Sequence, residues 1–147
     1  MSFEKFKEIA SAFRKAIESI PARERPITLR EFPRGSCGDA SLLLGTYFIE
    51  LGENPFDYML GDTTDNHADP NWSSHAWMQR GDLIIDITAD QFSEIDKEVI
   101  VSTESEWHRT LSGTKQHFAD FNIYESNTMT PLREIYRRIK TILQGDS

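Results

Sequence analysis

Cysteine is nearly absent from this sequence: Cys37 is the only one among 147 residues. A single cysteine excludes a disulfide within the chain and any zinc site that requires several thiolates. The thiol is therefore either a small buried side chain or a free reactive group. The residues around it favour the second role only in combination with a histidine and a carboxylate elsewhere in the chain.

Long apolar runs and an excess of positive charge are also missing. No stretch of about 18 apolar residues occurs, so no transmembrane helix is expected. The N-terminus has no apolar signal core, and we expect a cytoplasmic protein. The net charge of −8 argues against nucleic acid or an anionic membrane surface as a partner. The sequence also lacks a glycine-rich phosphate loop and the Gly-x-Ser-x-Gly elbow of serine hydrolases.

Hydrophobic spacing predicts three helices. The first covers residues 3–20, the second begins just after Cys37 and ends at Gly52, and the last follows a cap at Thr130. The second helix is apolar on nearly all sides, which is typical of a helix buried in the centre of a domain.

Short strands are predicted between these helices, at residues 56–60, 74–78, 83–88, 99–101 and 118–124. The polar, turn-rich segment 61–73 is predicted to be a long loop. Helices that flank a block of antiparallel strands indicate an α+β fold, and the length fits a single domain over residues 1–147.

A predicted hairpin brings a histidine and a carboxylate together. If the turn of the hairpin is centred between Arg80 and Gly81, His75 lies directly opposite Asp86. Directly opposed residues point to the same side of an antiparallel pair, so imidazole and carboxylate can meet. Residues on the other side, such as Met78 and Ile85, are expected to face the core.

The predicted position of Cys37, at the start of the second helix, suits a nucleophile. The positive end of the helix dipole favours the thiolate, and the free backbone N–H groups there can stabilise an oxyanion. Gly35 and Gly38 leave room for a close approach. With His75 as base and Asp86 as the group that orients it, the thiolate would attack an acyl carbon and form a thioester.

Three short motifs resemble those of the transglutaminase-like and papain-like cysteine superfamily: Gly35–Ala40, His75–Trp77 and Asp86–Thr88. Its members carry a Gly-x-Cys-x-Asp/Glu-Ala run that opens a buried helix, then a His-Ala-Trp strand, then a strand ending in Asp-x-Thr. The resemblance implies a core in which the buried Cys helix packs on a small antiparallel sheet that carries His and Asp, flanked by N- and C-terminal helices.

The resemblance also implies the roles of nucleophile for Cys37, base for His75 and orienting group for Asp86. The usual reactions of the superfamily are peptide hydrolysis, amide transfer to an amine and deamidation of glutamine. The expected function is therefore a cysteine-dependent hydrolase or acyl transferase. It would act on peptide, isopeptide or glutamine amide bonds of a peptide or protein substrate, through a thioester and without a cofactor or metal.

The sequence departs from papain-like proteases just before the cysteine, because residues 27–36 contain no glutamine that could donate to the oxyanion. The backbone N–H of Cys37 must then contribute. Gly38, Trp72 and Gln91 are further candidates for substrate and oxyanion contacts. The acidic calcium loop of animal transglutaminases is also missing.

Two alternatives remain open at this stage. The fold could serve as a non-catalytic binding or interaction module that retains the three residues. A metal could instead be bound by His67, Asp69 and His75, although their spacing matches no established motif. The other two histidines, His108 and His117, are expected to be surface or packing residues.

Overall fold

The computed structural model describes residues 1–62, 74–124 and 127–145. Within these ranges the chain forms four α-helices and a five-stranded antiparallel sheet, which confirms the α+β class. The helices are α1 (Phe3–Ser19), α2 (Cys37–Glu50), α3 (Glu106–Arg109) and α4 (Thr130–Gly145). The strands are β1 (Asp57–Asp62), β2 (Ser74–Arg80), β3 (Leu83–Asp86), β4 (Ile100–Ser102) and β5 (Thr114–Phe118). No helix in the described ranges is long and apolar enough to cross a membrane.

The predicted long helices are confirmed, and their ends have local causes. At the start of α1, the Ser2 hydroxyl accepts a hydrogen bond from Lys5 N at 3.1 Å and so caps the helix. At the end of α2, Gly52 has a φ of +95°, the left-handed conformation that commonly terminates helices. Buried residues lie all round α2, as expected for a helix at the centre of the domain.

The strand order is β4-β3-β2-β1-β5, and every neighbouring pair is antiparallel. Met78 and Ile85 belong to the main core, which also holds residues of α1, α2 and α4. Trp77 and Ile84, which alternate with them, pack with Leu111 in a second, smaller cluster. The predicted alternation along β2 and β3 is therefore confirmed, and the sheet carries packed residues on both faces.

The predicted register of the β2–β3 hairpin is wrong by two residues. Arg80 pairs with Leu83, so the turn consists of Gly81 and Asp82 rather than being centred between Arg80 and Gly81. Gly81 has a φ of +60°, which glycine adopts without strain. Because side chains alternate with a period of two, a shift of two residues leaves each side chain on the same face. The predicted meeting of His75 and Asp86 therefore survives the error.

The predicted strand over residues 118–124 is also wrong. β5 ends at Phe118, and Phe121–Ile123 forms a single 3-10 turn. This turn is capped by Asp120, whose carboxylate accepts from Asn122 N at 2.9 Å, and side-chain caps of this kind compete with extended pairing. The predicted loop at 61–73 is shorter at its start, because β1 continues through Asp62. Residues 63–73 lie outside the described residues.

Candidate active site

Cys37 is the first residue of α2 and is half-buried, as the sequence predicts. The segment before it is held by Ser36, whose hydroxyl donates to Thr28 O at 2.9 Å. The first hydrogen bond of the helix runs from Ala40 N to Ser36 O at 2.9 Å. The N–H groups of Cys37, Gly38 and Asp39 therefore have no acceptor within the helix, and they belong to the turn that carries the thiol.

His75 and Asp86 come together at one end of the sheet, where β2 begins and β3 ends. His75 Nε2 lies 2.6 Å from Asp86 Oδ2, and the two side chains are 0% and 1% exposed. An ionised carboxylate only accepts hydrogen bonds, so the proton lies on Nε2 of His75 and Nδ1 is the basic nitrogen. This buried contact fixes both the orientation and the tautomer of the imidazole.

The free nitrogen of His75 is the one available to the thiol. Nδ1 is buried and makes no hydrogen bond among the described residues. Burial disfavours a charged imidazole, but the charge of Asp86 and the neighbouring Cys37 outweigh it and raise the pKa of His75 to about 9. The arrangement therefore favours a proton on His75 once the thiol has released one.

Asp86 is held as an anion despite its complete burial. Burial opposes its ionisation, but the charge of His75 and hydrogen bonds from His108 and His75 hold the pKa of Asp86 well below its usual range. Its second oxygen, Oδ1, accepts from Thr88 N at 2.9 Å. The Asp-x-Thr motif thus has a local function, because Thr88 fixes the carboxylate from the other side.

His108 is a buried packing residue, one of the two roles expected for it, and it also belongs to this cluster. It is 2% exposed, and its Nε2 lies 2.7 Å from the same Oδ2 of Asp86 that contacts His75. Its Nδ1 lies 2.5 Å from the hydroxyl of Ser105, the cap of α3. The local signal in the sequence is a serine three residues before a histidine, a common pattern that by itself indicates a helix cap rather than a site.

Aromatic rings surround the imidazole of His75. The ring centroids of Trp77, Phe92 and Trp107 lie 6.0, 5.0 and 5.4 Å from that of His75. These rings exclude water from the pair with Asp86, and electrostatic interactions are stronger where water is excluded. Trp77 is a packing residue of this cluster, 2% exposed.

Gly38 is predicted as a substrate or oxyanion residue, and the structure places it in the first turn of α2, beside Cys37. A Cβ atom at this position would lie 2.9 Å from the hydroxyl oxygen of Tyr58, a residue of β1. No motif in the sequence distinguishes Tyr58. Burial, together with Cys37, Tyr124 and Asp39, raises the pKa of Tyr58 to about 12, so the phenol keeps its proton.

Of the other two residues predicted to contact substrate or oxyanion, Gln91 is described by the structure and Trp72 is not. The amide of Gln91 is engaged at both ends: Oε1 accepts from Gly35 N at 3.3 Å and Nε2 donates to Thr88 O at 3.1 Å. Gln91 thereby links the loop before Cys37 to the segment after Asp86. Trp72 lies outside the described residues.

The ligand atoms of His75, Asp86 and His108 all lie within 4.8 Å of one another, so this cluster is a geometric candidate for a metal site. The contacts of 2.6 and 2.7 Å are hydrogen-bond distances. Two ligand atoms on one tetrahedral zinc ion stand about 3.3 Å apart, because each bond is about 2.0 Å long. The three side chains in this conformation are therefore spaced for hydrogen bonds to one another rather than for coordination of a shared zinc ion. His67 and Asp69, of the predicted metal set, lie outside the described residues.

No protein-family model matches the chain, and no curated protein and no solved structure matches it either. What defines the protein is therefore its own geometry: an α+β fold with a thiol at the start of a central helix and a buried His–Asp–His cluster beside it. The likeness to the transglutaminase-like and papain-like superfamily stays a prediction from the motifs.

Proposed function

We propose that this protein is a cysteine-dependent hydrolase or acyl transferase of the transglutaminase-like and papain-like type. It would act on peptide, isopeptide or glutamine amide bonds of a peptide or protein substrate. The observation that carries this proposal is the imidazole of His75: Nε2 is bound to Asp86 at 2.6 Å, and the unpartnered Nδ1 is left for Cys37. A buried polar atom without a hydrogen-bond partner is uncommon in folded proteins, and a proton exchanged with Cys37 explains this one.

The chemistry follows from these positions. His75 Nδ1 takes the proton of the Cys37 thiol, and the thiolate attacks the acyl carbon, forming a C–S bond and an oxyanion. The first-turn N–H groups of α2 stabilise that oxyanion. The imidazolium then gives its proton to the leaving amine or ammonia, and a thioester remains on Cys37.

The second half-reaction releases the enzyme. His75 takes a proton from water or from an acceptor amine, which attacks the thioester carbon, and the returning proton restores the Cys37 thiol. Attack by water gives hydrolysis or deamidation, and attack by an amine gives transfer. Every proton in this cycle passes through Nδ1 of His75.

Alkylation by iodoacetamide tests whether the thiol is activated. We expect Cys37 to react about tenfold faster than free cysteine at pH 6, because His75 can take the thiol proton and a free cysteine has no such base. His75→Ala should reduce the rate to that of free cysteine or below. Mass spectrometry locates the adduct, Cys37→Ser is the unreactive control, and circular dichroism checks folding.

A reaction rate no higher than that of free cysteine would contradict the proposal and favour a non-catalytic binding module. Fast alkylation that persists in His75→Ala would contradict the pairing with His75. The acyl step is checked with p-nitrophenyl acetate: the wild-type protein should release p-nitrophenolate rapidly and carry an acetyl group on Cys37, and Cys37→Ser should not.

A further inference from the structure

We propose that His108 and Ser105 are positioning residues that fix Asp86 from behind, so that the site is a hydrogen-bonded chain from Ser105 to Cys37 rather than a triad. This inference rests on the proposed function. Asp86 Oδ2 receives two imidazoles at once, His75 at 2.6 Å and His108 at 2.7 Å. The chain ends at the Ser105 hydroxyl, 2.5 Å from His108 Nδ1.

The direction of each hydrogen bond follows from the chemistry of its ends. Since the Asp86 carboxylate only accepts, both imidazoles donate from Nε2. With Nε2 of His108 donating to Asp86, Nδ1 is assigned as the acceptor and the Ser105 O–H as the donor. The Ser105 oxygen still has a lone pair, which accepts from His108 N at 3.4 Å in capping α3. One arrangement of protons therefore satisfies every member and leaves only His75 Nδ1 open.

This arrangement has two effects on the Asp86 carboxylate: it limits rotation and it stabilises the negative charge. With two donors on Oδ2 and Thr88 N on Oδ1 at 2.9 Å, Asp86 cannot rotate without losing a buried hydrogen bond. The donor from His108 also stabilises the negative charge that keeps the His75 imidazolium in place. The titratable groups facing His75 are Cys37 from α2, Asp86 from β3 and His108 from α3.

The test is the pH dependence of Cys37 alkylation by iodoacetamide in the full chain. For His108→Phe we expect the rate at pH 6, relative to the rate at pH 9, to fall about tenfold, the effect of losing one hydrogen bond to a charged group. His108→Gln places an amide N–H where Nε2 stood, so its ratio should stay within about threefold of the wild-type ratio. A merely structural role would change stability without changing this ratio in folded protein.

Equal pH profiles for His108→Phe and wild type would overturn the positioning role while leaving the activated thiol intact. A slow wild-type reaction would instead defeat the proposed function itself. If His108→Phe does not fold, ¹⁵N NMR of histidine in the wild-type protein decides: His108 should carry its proton on Nε2, and an Nδ1–H tautomer at His108 would overturn the chain.

A separate observation concerns the oxyanion, for which the sequence offers no upstream glutamine. We infer that Tyr58 donates its phenolic hydrogen to the oxyanion beside Cys37, again on the basis of the proposed function. Its hydroxyl lies over the first turn of α2, at 2.9 Å from where a Gly38 Cβ would stand. The absence of a side chain at Gly38 is what allows this approach.

Two further facts suit Tyr58 to this role. Its pKa, raised to about 12, keeps the O–H available as a donor at any working pH. Its ring is held by stacking on His117, with centroids 4.9 Å apart and planes at 19°, so the hydroxyl has a fixed position. A preformed donor costs no reorganisation when the charge develops.

Two reagents separate this role from packing. The tetrahedral intermediate of p-nitrophenyl acetate carries an oxyanion, whereas displacement of iodide from iodoacetamide does not. Tyr58→Phe should slow acylation by at least about tenfold, since loss of an oxyanion donor typically costs about a hundredfold or more. Its alkylation rate should stay within about twofold of wild type. Tyr47→Phe, which removes a hydroxyl near the other end of α2, is the matched control and should change neither rate.

If Tyr58→Phe acylates as fast as wild type, the donor role is refuted. Equal slowing of both reactions would show a disturbed thiol instead. A wild-type protein that fails to acylate on Cys37 would contradict the proposed function before Tyr58 is considered.

Discussion

Two opposite pKa shifts lie side by side at His75 and Asp86. The pKa of His75 is raised to about 9, and that of Asp86 is held well below its usual range. Each ionised group is what makes the burial of the other tolerable, because an unpaired charge at full burial is strongly destabilising. The proposed function and the stability of the fold therefore depend on the same contact between His75 and Asp86.

The stability of the fold should depend on pH through His75. Its imidazole contributes fully below the ordinary pKa of 6.5, and that contribution is lost as the pH rises through about 9. We expect the free energy of unfolding to be higher at pH 6 than at pH 9.5, by up to about 3 kcal/mol. The contribution of Asp86 has the opposite sense: it is present above the usual carboxyl range and lost in acid.

Urea unfolding at both pH values measures this difference. His75→Gln has no titrating group at that position, so it should remove most of the fall in the free energy of unfolding between pH 6 and pH 9.5. A fall of the same size in His75→Gln would show that other groups cause it.

Single residues of the site were predictable to different degrees. Cys37, His75 and Asp86 stand in recognisable local motifs, so the sequence alone indicates them. His108 and Tyr58 do not, since nothing next to them in the chain distinguishes them from packing residues. Their importance arises from folding, when β1 passes over the first turn of α2 and α3 packs behind β3.

Among the larger elements, α1 is tied to the site through one buried side chain. Arg14 is 4% exposed and forms a two-pronged ion pair with Asp90, at 2.7 and 2.9 Å. It also donates to Ile87 O at 2.9 Å and Glu98 O at 2.8 Å. The helix thereby fixes the segment that directly follows Asp86.

Removal of the Arg14 side chain should destabilise the fold strongly. Arg14→Ala leaves a carboxylate and two carbonyl groups without their donor, and we expect it to reduce the free energy of unfolding by about 3–5 kcal/mol. The matched control is Arg138→Ala, which breaks an ion pair with Glu24 whose two side chains are 47% and 40% exposed. That change should cost no more than about 1 kcal/mol. Urea unfolding compares them, and similar losses would refute a special role for Arg14.

The elements also show where sequence patterns stop being informative. The predicted helix over 3–20 is observed as Phe3–Ser19, because its apolar spacing is regular and its cap is local. The predicted strand over 83–88 ends early, since the Asp86 carboxylate binds Thr88 N and turns the chain. Hairpin register fails for a similar reason: Gly81 can take either turn position, and only the paired strands decide between them.

Across the whole molecule, the site is assembled from distant parts of the chain. Cys37 comes from α2, His75 from β2, Asp86 from β3 and His108 from α3. The α+β class follows from the succession of helical and strand patterns, and it was predictable. The strand order was not, because no local signal indicates that β5 pairs with β1 at the edge of the sheet.

The order of these residues along the chain has a consequence for synthesis. Of these four residues, Cys37 leaves the ribosome first and His108 leaves last. A nascent chain that stops short of Ser105 lacks the second imidazole that binds the Asp86 carboxylate. On the proposed function, the thiol therefore gains its complete set of partners only when the fold is complete.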